Sequence, residues 1–161
     1  MFSINDKVVH SPEGVCTVED ICEMQIDNKT RMVYMLRSVV KHDKVLYIPV
    51  DSHKNHLRRL KTREEIEQIL TIEPDEVQFL SQNINKRANI QNHAIYEDDS
   101  VMLIKLIKLY IRRKEQSKLS LGDKNWLKKA EQFLFSEIAE VLECEYNAFL
   151  QNSHRIYAIH F

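Results

Sequence analysis

The sequence predicts an α+β protein, with a small antiparallel β domain followed by a compact helical bundle. Three observations predict it. Residues 5–60 form short, partly alternating β-branched runs separated by turn residues. From Thr62 the apolar period becomes helical. Only 2 Gly and 3 Pro occur in 161 residues, so a chain this poor in breakers is expected to be largely helical where its period allows. Apolar content of 43% and charged content of 29% are those of ordinary globular protein.

The β elements follow in order. Asp6-Lys7-Val8-Val9 leads into Ser11-Pro12-Glu13-Gly14, where Pro and Gly signal a turn. Val15 to Ile21 is the next strand, Asp27-Asn28-Lys29 a polar hairpin tip, and Thr30 to Val39 the return. His42-Asp43 turns the chain again, and Val45-Leu46-Tyr47-Ile48 runs to Pro49, which ends it. Several short strands in about sixty residues suggest a strongly bent antiparallel sheet or partial barrel.

Thr62-Arg63-Glu64-Glu65 has a hydroxyl at the cap and acids in the first turn, and Ile66, Ile69 and Leu70 form an apolar stripe. Glu73-Pro74-Asp75-Glu76 is expected to open a second helix, Ser100 to cap a third and Ser120 a fourth. The expected division is a β domain over 1–60, a link over 61–72, a helical domain over 73–146 and a tail over 147–161. In the helix after Ser120, Leu127, Ala130, Phe133, Leu134, Val141 and Leu142 form the core stripe, and Trp126 is expected to be core as well, the alternative being a DNA-facing position beside Lys124 and Lys128.

The net charge is −1, yet residues 100–130 gather Lys105, Lys108, Arg112, Arg113, Lys114, Lys118, Lys124, Lys128 and Lys129 against Glu115 and Asp123. A solvated helix face explains many charge runs. Here the local concentration in a balanced protein points to a polyanion partner, and nucleic acid is the usual one. Lys105, Lys108 and Arg112, spaced three and four apart in an otherwise apolar helix, are expected to form a narrow outer basic stripe. Lys124, Lys128 and Lys129 fall in the opening turns of a helix, where the dipole disfavours cations, so phosphate contact is the natural reason for them.

Other chemistry is excluded. Cys16, Cys22 and Cys144 show no CxxC spacing and read as reduced thiols of a cytoplasmic protein. No leader is seen, and the apolar runs are broken well short of a membrane span. His53 and His56, with His42 and Asp51 near in sequence, read as solvated imidazoles rather than a metal site. Glu137, Glu140 and Glu143 read as mostly solvated carboxylates, unsuited to acid–base work. Ser120 lacks a neighbouring His and no Gly-rich phosphate loop exists. The expectation is no catalytic residue, no metal, no cofactor, no small-molecule substrate and no membrane.

The stretch Phe2-Ser3-Ile4-Asn5-Asp6-Lys7-Val8-Val9-His10-Ser11-Pro12-Glu13-Gly14-Val15 resembles the F-x-I-G-D-x-V-V-Y-P-x-H-G opening of the CarD/CdnL family of bacterial transcription regulators. Ile48-Pro49-Val50 resembles its I-P strand end, Leu119-Ser120-Leu121-Gly122-Asp123-Lys124 its L-S-x-x-E-K, and Ala130 to Leu142 its last core helix. The resemblance covers roughly residues 1–145. It implies a Tudor-like N-terminal domain that binds the β subunit of RNA polymerase. It also implies a helical domain that touches promoter DNA beside the melted region, and action on the open complex without enzymatic activity.

Carried over by position, the resemblance assigns polymerase contacts to Met24, Ile26 and Tyr47, although Arg is common in the family at the first and last of these. The family's DNA wedge, a Trp followed closely by Asn and Arg, corresponds to Ile84-Asn85-Lys86-Arg87, with Ile84 in place of the Trp. An aliphatic side chain can still enter a base step, with less area. The tail beyond Tyr146 exceeds the family's usual end and is apolar enough (Phe149, Leu150, Tyr157, Ile159) to be expected to pack on the bundle or across a partner. The function read here is a regulator joining polymerase β to promoter DNA through minor-groove and phosphate contacts. The alternative is a protein–protein adaptor whose DNA contact was weakened with the loss of the Trp.

Overall fold

Two units divide the chain, Met1–Leu60 and Lys61–Phe161. The computed structural model describes residues 1–51, 56–75 and 83–158, with side chains of the last helix as far as Ser153.

The first unit is a five-stranded antiparallel sheet of β1 (Lys7–His10), β2 (Gly14–Ile26), β3 (Lys29–Ser38), β4 (Val45–Pro49) and β5 (Leu57–Arg58), in the order β4-β3-β2-β1-β5. Gly14 takes φ 95°, a conformation that an L side chain resists, and this lets the turn after β1 close onto β2. Glu13 in that turn is buried and its carboxylate pairs with the ammonium of Lys44. At the hairpin tip Asp27 and Asn28 have φ 52° and 60°, the left-handed pair that a two-residue turn requires and that Asp and Asn tolerate.

The β2–β3 register shifts between Val18 and Asp20, so Glu19 is an extra residue, and its carboxylate accepts from the Arg37 guanidinium. A bulge here bends the long strand, as the sequence led one to expect of this sheet. Val8, Cys16, Val18, Tyr34 and Leu36 form the core under one sheet face, with Phe2, Ile21, Leu46, Ile48, Val50 and Leu57 packed around them. Burial pushes the Cys16 thiol up to about 12, so it stays an inert, protonated group.

The second unit comprises α1 (Arg63–Leu70), α2 (Ile84–Tyr96), α3 (Ser100–Glu115), α4 (Leu121–Val141) and α5 (Tyr146–Ala158). Thr62 and Glu65 make a reciprocal capping box, and Ile66 and Ile69 are buried, so residues 61–72 fold with the helical unit. The helix expected to open at Glu73-Pro74-Asp75-Glu76 would run through residues 76–82, which lie outside the described residues; residues 72–75 before them are non-helical. Ser100 is not the cap of α3. Asp99 is, its Oδ1 accepting the Met102 N–H at 3.0 Å, after a turn in which Asp98 has φ 53°. A carboxylate at that position outcompetes the hydroxyl one residue on, which is drawn inside the helix and buried. Ser120 does cap α4, accepting the Asp123 N–H at 3.1 Å.

α2, α3 and α4 are joined by short turns and pack on one another, so they alternate in direction. Leu103, Ile104, Leu106, Ile107 and Tyr110 of α3 and Leu127, Ala130, Phe133, Leu134 and Ile138 of α4 are buried in the core, and the two helices pack on one another. Val141 and Leu142 are only half-buried. Trp126 is buried, with Tyr110 edge-on at 5.4 Å and its Nε1–H donating to the Gln91 carbonyl at 3.0 Å. α5 packs back on the bundle through Phe149, edge-on to Phe135 at 5.4 Å.

Glu137 is not solvated. It is 1% exposed, and Oε1 accepts the Lys61 N–H at 2.7 Å. It lies three residues after Leu134 and four after Phe133, on the core stripe itself, and the first residue of the unit supplies its partner.

Candidate functional site

Charge is segregated along the α2–α3–α4 bundle. A polar junction defines one end. Gln91 Nε2 donates to Tyr110 Oη at 2.6 Å and to Asp123 Oδ1 at 3.0 Å, while the Gln91 carbonyl takes the Trp126 indole. Burial and the Asp123 carboxylate raise the Tyr110 pKa, so its hydroxyl remains a neutral partner. These bonds tie the middle of α2 to the second half of α3 and the opening turns of α4.

Lys86, Lys114, Lys118 and Lys124 are exposed at that end, with Lys128 and Lys129 a turn further along α4. Arg87 and Arg113 are half-buried there. Of the two acids in the stretch, Asp123 is engaged by Gln91 and Ser120, which leaves Glu115. The other end carries Glu97, Asp98, Asp99, Glu140, Glu143 and Glu145, with Lys61 reaching Asp98 and Glu137 at 3.9 and 3.8 Å.

The sequence-predicted DNA residues divide between these environments. Ile84 is 73% exposed although it shares the inner stripe of α2 with Gln91 and Ile95, because it extends past the junction at the basic end. Asn85 and Lys86 beside it are exposed. The Arg87 Nε–H is buried without a hydrogen-bond acceptor among the described residues. Lys124, Lys128 and Lys129 are all exposed.

The outer stripe expected of Lys105, Lys108 and Arg112 does not form. Lys108 is 2% exposed, and its ammonium donates to the carbonyls of Leu70 at 2.7 Å and Ile72 at 2.9 Å, with Glu73 at 3.5 Å. Arg112 pairs with Glu73 at 2.9 Å, and Lys105 is half-buried nearer the acidic end. The reason is packing. α1 lies along this side of α3, and the buried ammonium satisfies carbonyls that the end of α1 leaves open. The sequence-predicted set omitted Arg113, Lys114 and Lys118. The charge run contains all three, but only the α3–α4 turn brings them to the end of the bundle that carries Lys124 and Lys86.

In the sheet unit the register gathers the other predicted set. Met35 pairs with both Asp20 and Tyr47, Cys22 with Val33, Met24 with Arg31 and Ile26 with Lys29. Cross-strand partners point to one side of a sheet, so Met24, Ile26, Met35 and Tyr47 lie on the face opposite Ile21, Tyr34 and Ile48. Tyr47 is 47% exposed, and Met24, Ile26 and Met35 are half-buried. From Asp20 to Ile26, β2 pairs only with β3 among the described strands, leaving a backbone edge beside this face.

Among the described residues no group of three or more His, Cys, Asp or Glu could hold a metal ion, and His53 lies outside them. No described helix is long and apolar enough to cross a membrane.

Residues 2–61 match the CarD-like/TRCF RID domain family, and residues 65–152, more than half of the 161-residue chain, match the CarD C-terminal domain family. No curated protein matches the chain. The two matches follow in order on the β unit and the helical unit. The chain therefore belongs to the CarD-like family, a family of non-enzymatic, RNA polymerase-interacting transcription factors.

Proposed function

We propose that this chain docks on the β subunit of RNA polymerase through the Met24–Ile26–Tyr47 sheet face and touches promoter DNA beside the melted region with the basic end of its helical unit, changing the stability of the open complex. The observation that carries the reading is the collection of exposed cations on three helix ends joined by the Gln91 junction. Such a surface attracts phosphates whatever the base sequence. Ile84, Asn85 and Lys86 add an apolar tip with polar and basic neighbours, suited to the minor groove. On the sheet, a face that mixes Met24, Ile26, Met35 and Tyr47 with Asp20, Lys29 and Arg31, beside an unpaired strand edge, suits a protein partner that adds both side-chain and backbone contacts.

Docking on polymerase makes weak DNA contacts sufficient, because tethering raises their effective concentration. Contacts that form better with the melted promoter than with the closed one shift the population toward the open state, and the reverse preference shifts it back.

The test measures β capture and open-complex lifetime with the full chain. Met24→Glu with Tyr47→Glu should lose β capture while retaining duplex affinity. Lys124→Glu with Lys129→Glu should keep β capture and lose the effect on lifetime. Wild-type behaviour of either variant refutes the surface it alters. The adaptor reading is favoured by one observation, the withdrawal of Lys108 and Arg112 from the candidate interface. It requires duplex binding with little salt dependence, whereas phosphate contacts make that dependence steep.

A further inference from the structure

Four large apolar side chains of the helical unit are exposed among the described residues, and all four lie at the two ends of the bundle. Ile84 and Leu121, 73% and 75% exposed, are the first residues of α2 and α4, at the basic end. Tyr96 and Val101, 51% and 48% exposed, end α2 and enter the first turn of α3, at the acidic end. A single exposed apolar residue is ordinary on a protein surface. Here each pole carries two of them among charges of one sign, and among the described residues the flanks between the poles carry none.

Folding leaves the charges of both poles unneutralised. Lys86, Lys114, Lys118, Lys124, Lys128 and Lys129 meet no carboxylate among the described residues, and Glu97 and Glu143 meet no cation. A promoter contact uses the lysines and gives no part to Tyr96, Val101, Glu97 or Glu143. α2 has 13 residues, which sets the poles about 20 Å apart. That exceeds the Debye length of about 8 Å at physiological salt, so the poles of one copy are screened from each other. Contact between two copies brings opposite charges and exposed apolar tips together at short range.

We propose that the basic pole of one copy docks on the acidic pole of a second copy, with Ile84 and Leu121 against Tyr96 and Val101 and the lysines against Glu97 and Glu143. The inference goes beyond the promoter contact and does not depend on it. The arrangement is head-to-tail, so every pair keeps one open pole of each kind, and short rows of copies grow with concentration. Area sets the strength. Three helix ends, each about 10–12 Å across, present roughly 300 Å². A stable complex buries about 800 Å² per partner. The association is therefore weak and transient, and charge steers it.

Sedimentation of the full chain up to millimolar concentration tests this. In dilute salt the average mass of wild type should rise past that of a dimer. It should return to that of a monomer in about 1 M salt, where the Debye length is about 3 Å. Ile84→Asp with Leu121→Asp spoils the basic pole, and Tyr96→Lys with Val101→Lys spoils the acidic pole. All four positions are exposed, and native Trp126 emission shows that each variant is folded. Either variant alone should stay monomeric. Mixed in equal amounts they should form dimers and nothing larger, because each retains one native pole. A wild-type chain that is monomeric throughout overturns the proposal. So does wild-type association by either variant alone, or a mixture that stays monomeric. None of these outcomes bears on the promoter contact, which duplex binding by the wild-type chain reads separately.

Discussion

Replacing Lys108 by methionine separates a structural cation from a ligand-binding one. The two side chains have similar length, so the change removes the charge and its donors while largely keeping the volume. In the native protein the ammonium makes hydrogen bonds of 2.7 and 2.9 Å to the Leu70 and Ile72 carbonyls from a site 2% exposed. Hydrogen bonds from a charged donor contribute about 1.5–3 kcal/mol each. Contact with the half-exposed Glu73 adds roughly 1 kcal/mol at most. Burying a thioether in place of an ammonium recovers part of the desolvation cost. The net loss is about 2–3 kcal/mol from the helical unit.

Urea unfolding followed by tryptophan fluorescence reads this unit alone, because Trp126 is the only tryptophan and lies buried within it. Duplex affinity of the folded variant, and its salt slope, should stay at the wild-type value. A stability change below about 0.5 kcal/mol would refute the capping role, since two charged hydrogen bonds cannot be lost so cheaply. A shallower salt slope would instead return Lys108 to the interface.

Glu137→Ala strands the Lys61 N–H and should destabilise the same unit by about 2–3 kcal/mol, with Glu137→Gln costing less, both readable by Trp126 fluorescence. Lys124→Gln with Lys128→Gln should reduce the slope of log affinity against log salt by about 1.8 in duplex titrations, and an unchanged slope would exclude those two ammonium groups from phosphate contact. His10 has its pKa lowered from 6.5, chiefly by burial and against the raising influence of Glu13, while His56 and Lys44 add to the lowering. The unfolded chain therefore takes up a proton that the folded chain resists, and stability must fall as pH drops through about 6.5. Urea midpoints of the sheet unit at pH 7.5 and 5.5, followed by amide exchange of β1–β3, should differ less in His10→Gln than in wild type.

The elements were legible where chemistry is local. Gly14, Asp27-Asn28, Pro49, Thr62 and Ser120 each act within four residues, through turn geometry or a cap, and the strands and helices they bound appear as expected. β5 is two residues long and exists only because β1 has a free edge, so no period announced it. Lys108 and Glu137 were misplaced for a shared reason. Helical spacing tells which residues share a face but not what packs on it, and in both places another segment supplies partners that make a buried charge tolerable. Likewise, Met24, Ile26 and Tyr47 came from resemblance, whereas their common face follows from cross-strand register across two hairpins, which the sequence does not display.

The uneven placement of charge along the three-helix bundle has a kinetic consequence. In the field of a polyanion such a bundle experiences a torque as well as an attraction, so it turns its cationic tip inward before it touches and holds its carboxylate-rich pole away. A larger share of collisions then arrives correctly oriented. That advantage is greatest in dilute salt and fades as the Debye length falls below the bundle's own length.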